Sequence, residues 1–220
     1  MRPSRAGVYA APGTVVNAGI IAGVRGVVIV LVVIALLVVG LLVWAVGVNN
    51  QLVTLDQNVN EKWAQVQNVY QRRADLIPNL VETVKGFAAQ ERTVLTEVTQ
   101  ARANATSIQL TPEALNDPQA MAKFQAAQAQ LTGALSRLLV TVERYPELKS
   151  NANFLALQTQ LEGTENRITV ERQRYNEAVR EYNTRLRLFP ASVIAAVMGF
   201  RPKAFFEAAP GSETPPKVKF

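Results

Sequence analysis

Val59–Ala101 reads VNEKWAQVQNVYQRRADLIPNLVETVKGFAAQERTVLTEVTQA, and its apolar positions recur at steps of three and four. Val59, Trp63, Val66, Tyr70, Arg73, Ile77, Leu80, Val84, Phe87, Glu91, Val94, Val98 and Ala101 share one phase. That period belongs to one face of an α-helix, and only Arg73 and Glu91 place a charge on it. Pro78 interrupts the run, because proline has no N–H to give and its ring crowds the carbonyl of Ala74. Neither a glycine nor a polar loop surrounds it. A kink within one helix and a full turn between two helices both satisfy the pattern.

Upstream, Gly26–Val48 (GVVIVLVVIALLVVGLLVWAVGV) runs 23 residues without a charge. As a helix it spans roughly 34 Å at about 1.5 Å per residue, enough for a hydrocarbon core of about 30 Å. The apolar part of a cleavable signal is shorter, about 7–15 residues, so this run reads as an uncleaved transmembrane anchor. Trp44 near its end suits a membrane interface. Arg2, Arg5 and Arg25 precede the run and no acid does. The positive-inside rule then predicts a cytoplasmic N-terminus, with everything after Val48 outside the bacterial inner membrane.

Downstream, Thr106–Pro118 (TSIQLTPEALNDP) is a break carrying two prolines and cap-type residues. Met121, Phe124, Gln128, Leu131, Leu135, Leu138, Val142 and Tyr145 then mark a helix from about Gln119 to Tyr145. Pro146 suits the first turn of the next one. Phe154, Leu157, Leu161, Thr164, Ile168, Glu171, Tyr175, Ala178, Tyr182 and Phe189 stripe a last helix from about Glu147 to Phe189. No segment alternates with the period of a strand. The fold class is all-α: an N-terminal transmembrane helix followed by an elongated antiparallel bundle. The expected organisation is a tail over 1–25, the span over 26–48, the bundle over 49–189, an apolar segment over 190–208 and a disordered Pro-rich tail over 209–220. Within the apolar segment, Ala191–Phe206 (ASVIAAVMGFRPKAFF) is too short to span a bilayer. It either packs back on the bundle or lies at the membrane interface. In the second case Phe200, Phe205 and Phe206 enter lipid while Arg201 and Lys203 meet headgroups.

Composition narrows the chemistry. The 220 residues include no cysteine and no histidine, which excludes thiolate and imidazole nucleophiles, bases and metal ligands. The net charge of +6 comes half from the N-terminal flank, and the body of the chain alternates signs without a basic stripe. Nucleic acid is therefore not an expected partner. No glycine-rich phosphate loop occurs, and no cofactor is expected.

Arg72-Arg73-Ala74-Asp75-Leu76-Ile77-Pro78-Asn79-Leu80-Val81-Glu82-Thr83-Val84-Lys85-Gly86-Phe87 closely resembles the signature of the LemA family. The likeness returns at Tyr145-Pro146-Glu147-Leu148-Lys149 and at Leu161-Glu162-Gly163-Thr164-Glu165-Asn166-Arg167-Ile168. It recurs at Tyr175-Asn176, Tyr182-Asn183, Phe189-Pro190 and Phe205-Phe206-Glu207-Ala208, so it covers about Leu52 to Ala208. Gln90 departs from it, standing where the family often has histidine. The resemblance implies a bacterial membrane protein with one N-terminal anchor, an antiparallel four-helix bundle and no established enzymatic activity. It also implies a link, through some relatives, to the shaping of internal membranes.

Several polar groups are candidates for recognition. Arg72, Asp75, Asn79 and Glu82 form an exposed row that can meet a partner, or can serve only the helix surface and the backbone around Pro78. Arg73 and Glu171 occupy stripe positions on different helices and are expected to pair inside the bundle. Glu165, Asn166 and Arg167 are polar members of the family motif, and Glu82, Glu91, Glu165 and Glu171 are the carboxylates from which a metal site would have to be built. With no catalytic set, the expected function is a membrane-anchored structural or interaction protein of the envelope. It would self-assemble, with membrane lipid, further copies and other envelope proteins as partners. The alternative is an extracytoplasmic sensory or adaptor domain acting through a partner membrane protein.

Overall fold

The computed structural model describes residues 15–207, with side chains from Arg25 onward. The tail bearing Arg2 and Arg5 and the Pro-rich stretch 209–220 lie outside the described residues. The chain divides into two compact units, Met1–Val48 and Asn49–Phe220. Helix α1, Val15–Phe87, begins in the first and ends in the second. Helix therefore starts ahead of Gly26, inside the stretch read from sequence as a tail.

In the first unit the valine, leucine and isoleucine side chains from Val27 to Val43 are exposed. A surface apolar over so many consecutive residues is foreign to soluble monomers. Among the described residues, one helix is long and apolar enough to cross a membrane, and it carries this run.

The second unit is built from the rest of α1 and from α2 (Arg92–Ser107), α3 (Pro118–Val142), α4 (Pro146–Lys149), α5 (Ala152–Arg187) and α6 (Ala191–Met198). Of the two alternatives at Pro78 the full turn is overturned: α1 passes through the proline as one helix, and the chain reverses ten residues later, at Ala88–Gln90. There Ala88 N–H donates to Val84 at 2.8 Å and Glu91 N–H to Ala88 at 3.0 Å, closing the turn. Phe87, the stripe residue at the turn, is exposed and Ala88 is buried in its place. Among the described residues the bundle thus has four long helices, α1, α2, α3 and α5. Glu91–Arg144, Glu97–Arg137 and the Gln128 amide on the Ala105 carbonyl step in opposite directions along α2 and α3, so those helices are antiparallel. Trp63 against Tyr175 and Arg73 against Glu165 set the same relation between α1 and α5.

The helix ends follow their local sequence. Asp117 accepts from Gln119 N–H at 2.8 Å and Pro118 fills the first helical position of α3. Asn151 caps α5 by accepting from Asn153 and Phe154 N–H at 3.0 and 3.1 Å. The core has two layers. Ile77, Leu80, Val84, Val98, Leu131 and Leu138 make an aliphatic one toward the α1–α2 turn. Trp63, Tyr70, Phe124, Tyr175 and Phe206 make an aromatic one, joined edge-to-face or stacked at 5.2–6.4 Å between centroids.

Candidate functional site

Arg73 separates the two core layers. Its side chain is 3% exposed, a position a guanidinium holds only when its charge and donors are met. Nη1 reaches Glu165 at 3.0 Å and Thr132 Oγ1 at 3.1 Å, and Nη2 donates to Gln128 Oε1 at 2.5 Å. The cation also lies 5.1 Å from the Tyr70 ring. Burial raises the Tyr70 phenol above its ordinary value, outweighing the nearby arginines. Nε alone has no partner among the described residues. Beside this node, Leu80, Leu135, Leu139 and Leu161 line a groove of about 170 Å³ together with Arg73 and Glu165.

The expected pair of Arg73 with Glu171 is replaced by Arg73 with Glu165, while Glu171 bonds Arg174 at 2.7 Å one turn along α5. The register explains it. Trp63 faces Tyr175, so in an antiparallel pair Arg73, ten residues on, faces Glu165, ten residues back. Glu171 stands six residues from that level, about 9 Å along the axis. The other motif residues, Asn166 and Arg167, are exposed.

Arg72, Asp75, Asn79 and Glu82 all lie on the surface of α1. Asp75 accepts from Gln71 at 2.7 Å and Glu82 from Lys85 at 3.4 Å. The backbone group freed by Pro78 is served from elsewhere: Arg102 Nε on α2 donates to the Ala74 carbonyl at 2.7 Å. The four carboxylates considered for a metal site go to four different cations, Glu82 to Lys85, Glu91 to Arg144, Glu165 to Arg73 and Glu171 to Arg174. Glu91 also accepts from Tyr145, which raises that phenol.

The segment after α6 departs most from the interfacial expectation. Gly199, at φ 78°, occupies a left-handed position that favours glycine, and there the chain turns back along α5. Lys203 and Phe206, two of the five candidate interface residues, are buried, whereas Arg201 and Phe205 are exposed and Phe200 is half-buried. Phe206 stacks on Trp63, and Lys203 Nζ sits 3.1 Å from Asp56 and donates to the Pro112 carbonyl at 3.2 Å.

Two Tyr-Asn pairs on α5 hold this segment. Asn183 donates to the Lys203 carbonyl and accepts its N–H, both at 2.9 Å, and Asn176 does the same for Phe206 at 3.0 and 2.9 Å. Tyr182 and Tyr175 donate to the Arg201 and Ala204 carbonyls at 3.1 and 3.0 Å. The spacing matches because seven helical residues rise about 10.5 Å and three extended residues about 10 Å. Burial pushes both phenols far above their usual range, with the Asp56 carboxylate adding to the effect at Tyr182. The tyrosines were legible as core residues. The sequence assigns no site role to the asparagines, Asp56, Thr132 or Arg102 and places Gln128 only in a helix stripe; the repeat of Tyr-Asn at a spacing of seven is the available signal.

Comparison with known proteins gives the same outline. The family model described as LemA family matches residues 62–220. Magnetosome proteins MamQ 1 and MamQ 2 of Paramagnetospirillum magneticum (strain ATCC 700264 / AMB-1) are each 27% identical over 182 residues, 76% of this chain and 67% of theirs. Magnetosome protein MamQ of Magnetospirillum gryphiswaldense is 26% identical with the same coverage. The matched stretch takes in the Arg73 node, the Pro78 helix and both Tyr-Asn pairs with the segment they hold, and on that match the chain belongs to the LemA family.

Proposed function

We propose that this protein is a membrane-anchored structural protein of the bacterial envelope, without catalytic activity, whose copies associate and organise the membrane around them. One observation carries the reading: the polar groups of the family signature and of both Tyr-Asn pairs that lie inside the bundle are turned to neighbours within the chain. Side chains engaged in this way hold a shape and leave few donors or bases for a reaction. Gly26–Val48 supplies the anchor, and the arginines before it favour a cytoplasmic N-terminus with the bundle outside. The exposed row Arg72, Asp75, Asn79 and Glu82 is the surface offered to a second copy. The name of the relatives, magnetosome protein, supports a role in building a cellular structure.

The chain has no cysteine, so single thiols can be placed cleanly. Asn79→Cys in cells with a permeabilised outer layer should give a dimer with a membrane-impermeant bis-maleimide, and Ser150→Cys should label with an impermeant mono-maleimide. Labelling of Ser150→Cys without any Asn79→Cys dimer would remove self-association through this row. Labelling of Ser150→Cys only after lysis would reverse the orientation.

A further inference from the structure

A surface helix ordinarily turns polar residues outward. Helix α6, ASVIAAVM, is apolar on both faces: Ala191 and Ala195 face inward, and Val193, Ala196 and Val197 face out. Phe189, just before it, is 83% exposed and Val197 is 79% exposed. Arg187 and Arg201 bracket this face, both exposed and neither paired with a carboxylate among the described residues. Leu188 lines a cavity with Gln51 and Leu55, whose charged lining is balanced, Glu177 and Glu181 against Arg180 and Arg185. Gln51 follows the apolar run by three residues in sequence, and no acid occurs between Asn49 and Leu55.

We propose that the outward face of α6 lies in the interfacial layer of the bilayer, with Arg187 and Arg201 on anionic headgroups. The inference rests on reading Gly26–Val48 as a span, and it replaces Phe206 and Lys203 as the lipid-facing residues with Phe189, Val193 and Val197. Lipid suits this face better than a second copy does. Two such faces brought together would oppose arginine to arginine, whereas an anionic surface supplies the missing charge and takes up the apolar side chains. The buried inner face of α6 and the clamped residues beyond Gly199 fix the helix to α5. Contact with lipid therefore orients the bundle as a rigid body and adds a shallow wedge to the bilayer surface.

The test uses the full chain in vesicles of equal phosphatidylcholine and phosphatidylglycerol, with a bimane label on Val197→Cys, on Ile34→Cys or on the exposed α3 position Val140→Cys. Phospholipids brominated on the acyl chain should lower emission at Val197 and Ile34 by at least about twofold and leave Val140 unchanged. Quenching at Ile34 with Val197 behaving as Val140 does would overturn this inference alone. No quenching at Ile34 would overturn the anchor and the inference with it. A Val197 label shielded from both lipid bromine and aqueous iodide would mean that protein covers α6, and would overturn the inference as well.

Discussion

Arg102 on α2 donates its Nε–H to the carbonyl of Ala74, the group that Pro78 leaves without a donor four residues along α1, at 2.7 Å. A proline inside a helix otherwise costs about 3 kcal/mol or more, partly because this carbonyl is stranded. Here the helix passes through the proline and the neighbouring helix completes its hydrogen bonding. Arg102→Leu should cost about 1–3 kcal/mol, the penalty for an unmet buried acceptor. Adding Pro78→Ala should return most of the loss, because alanine supplies the missing N–H. Denaturant melts of the four proteins in this cycle check it, and additive effects would mean that the contact carries no weight.

The Arg73 node should couple to Glu165 and not to Glu171. Glu165 is 49% exposed, so solvent screening brings the expected coupling down from the value of a fully buried pair to about 1 kcal/mol. Glu171→Leu and Arg73→Leu should be additive within about 0.5 kcal/mol. Double-mutant cycles read by thermal unfolding distinguish the two partners.

The Tyr-Asn clamp predicts where the C-terminal segment loosens. Asn183→Ala should strip Lys203 of both backbone bonds, and Asn176→Ala should do so for Phe206. At about 1–3 kcal/mol per unmet pair, amide exchange at the affected residue should speed by roughly fivefold to 150-fold. Hydrogen exchange read by mass spectrometry should show the change in the peptide containing 201–207, with the α2–α3 peptides unaffected.

Much of this fold is legible in the sequence because helical period reports burial directly. Trp63, Tyr70, Arg73, Ile77, Leu80 and Val84 are all buried, as their phase requires. The period is silent about where a helix stops. Glu91, Val94 and Val98 continue the steps of three and four straight across the Ala88–Gln90 turn, which has neither glycine nor proline, so the pattern carries no mark of a break there. Phe189 failed likewise, standing in phase but just past the end of α5. The Arg73 partner and the clamp were hidden for another reason. Both depend on inter-helix register, and a stripe pattern says which side chains face inward without saying which ones meet.

The buried phenols give a dependence on pH. Tyr175 and Tyr182 hold their protons in the folded chain to higher pH than in the unfolded one, where they titrate near 10. Above that value the unfolded chain has lost protons that the folded chain retains, so stability falls as pH rises. Melting temperature should decline from about pH 10 upward, and less steeply in a Tyr175→Phe, Tyr182→Phe double variant. Equal slopes in the two proteins would show that other groups dominate alkaline unfolding.

Copies that associate within one membrane should remain together when a patch of that membrane is lifted out intact. Full-length protein bearing one fluorophore per chain, extracted from native membranes into polymer-bounded discs without detergent, should bleach in two or more steps in most occupied discs, at low expression as at high. Single-step bleaching at every expression level would mean that each chain stands alone in the bilayer, and a self-assembling envelope scaffold would be contradicted.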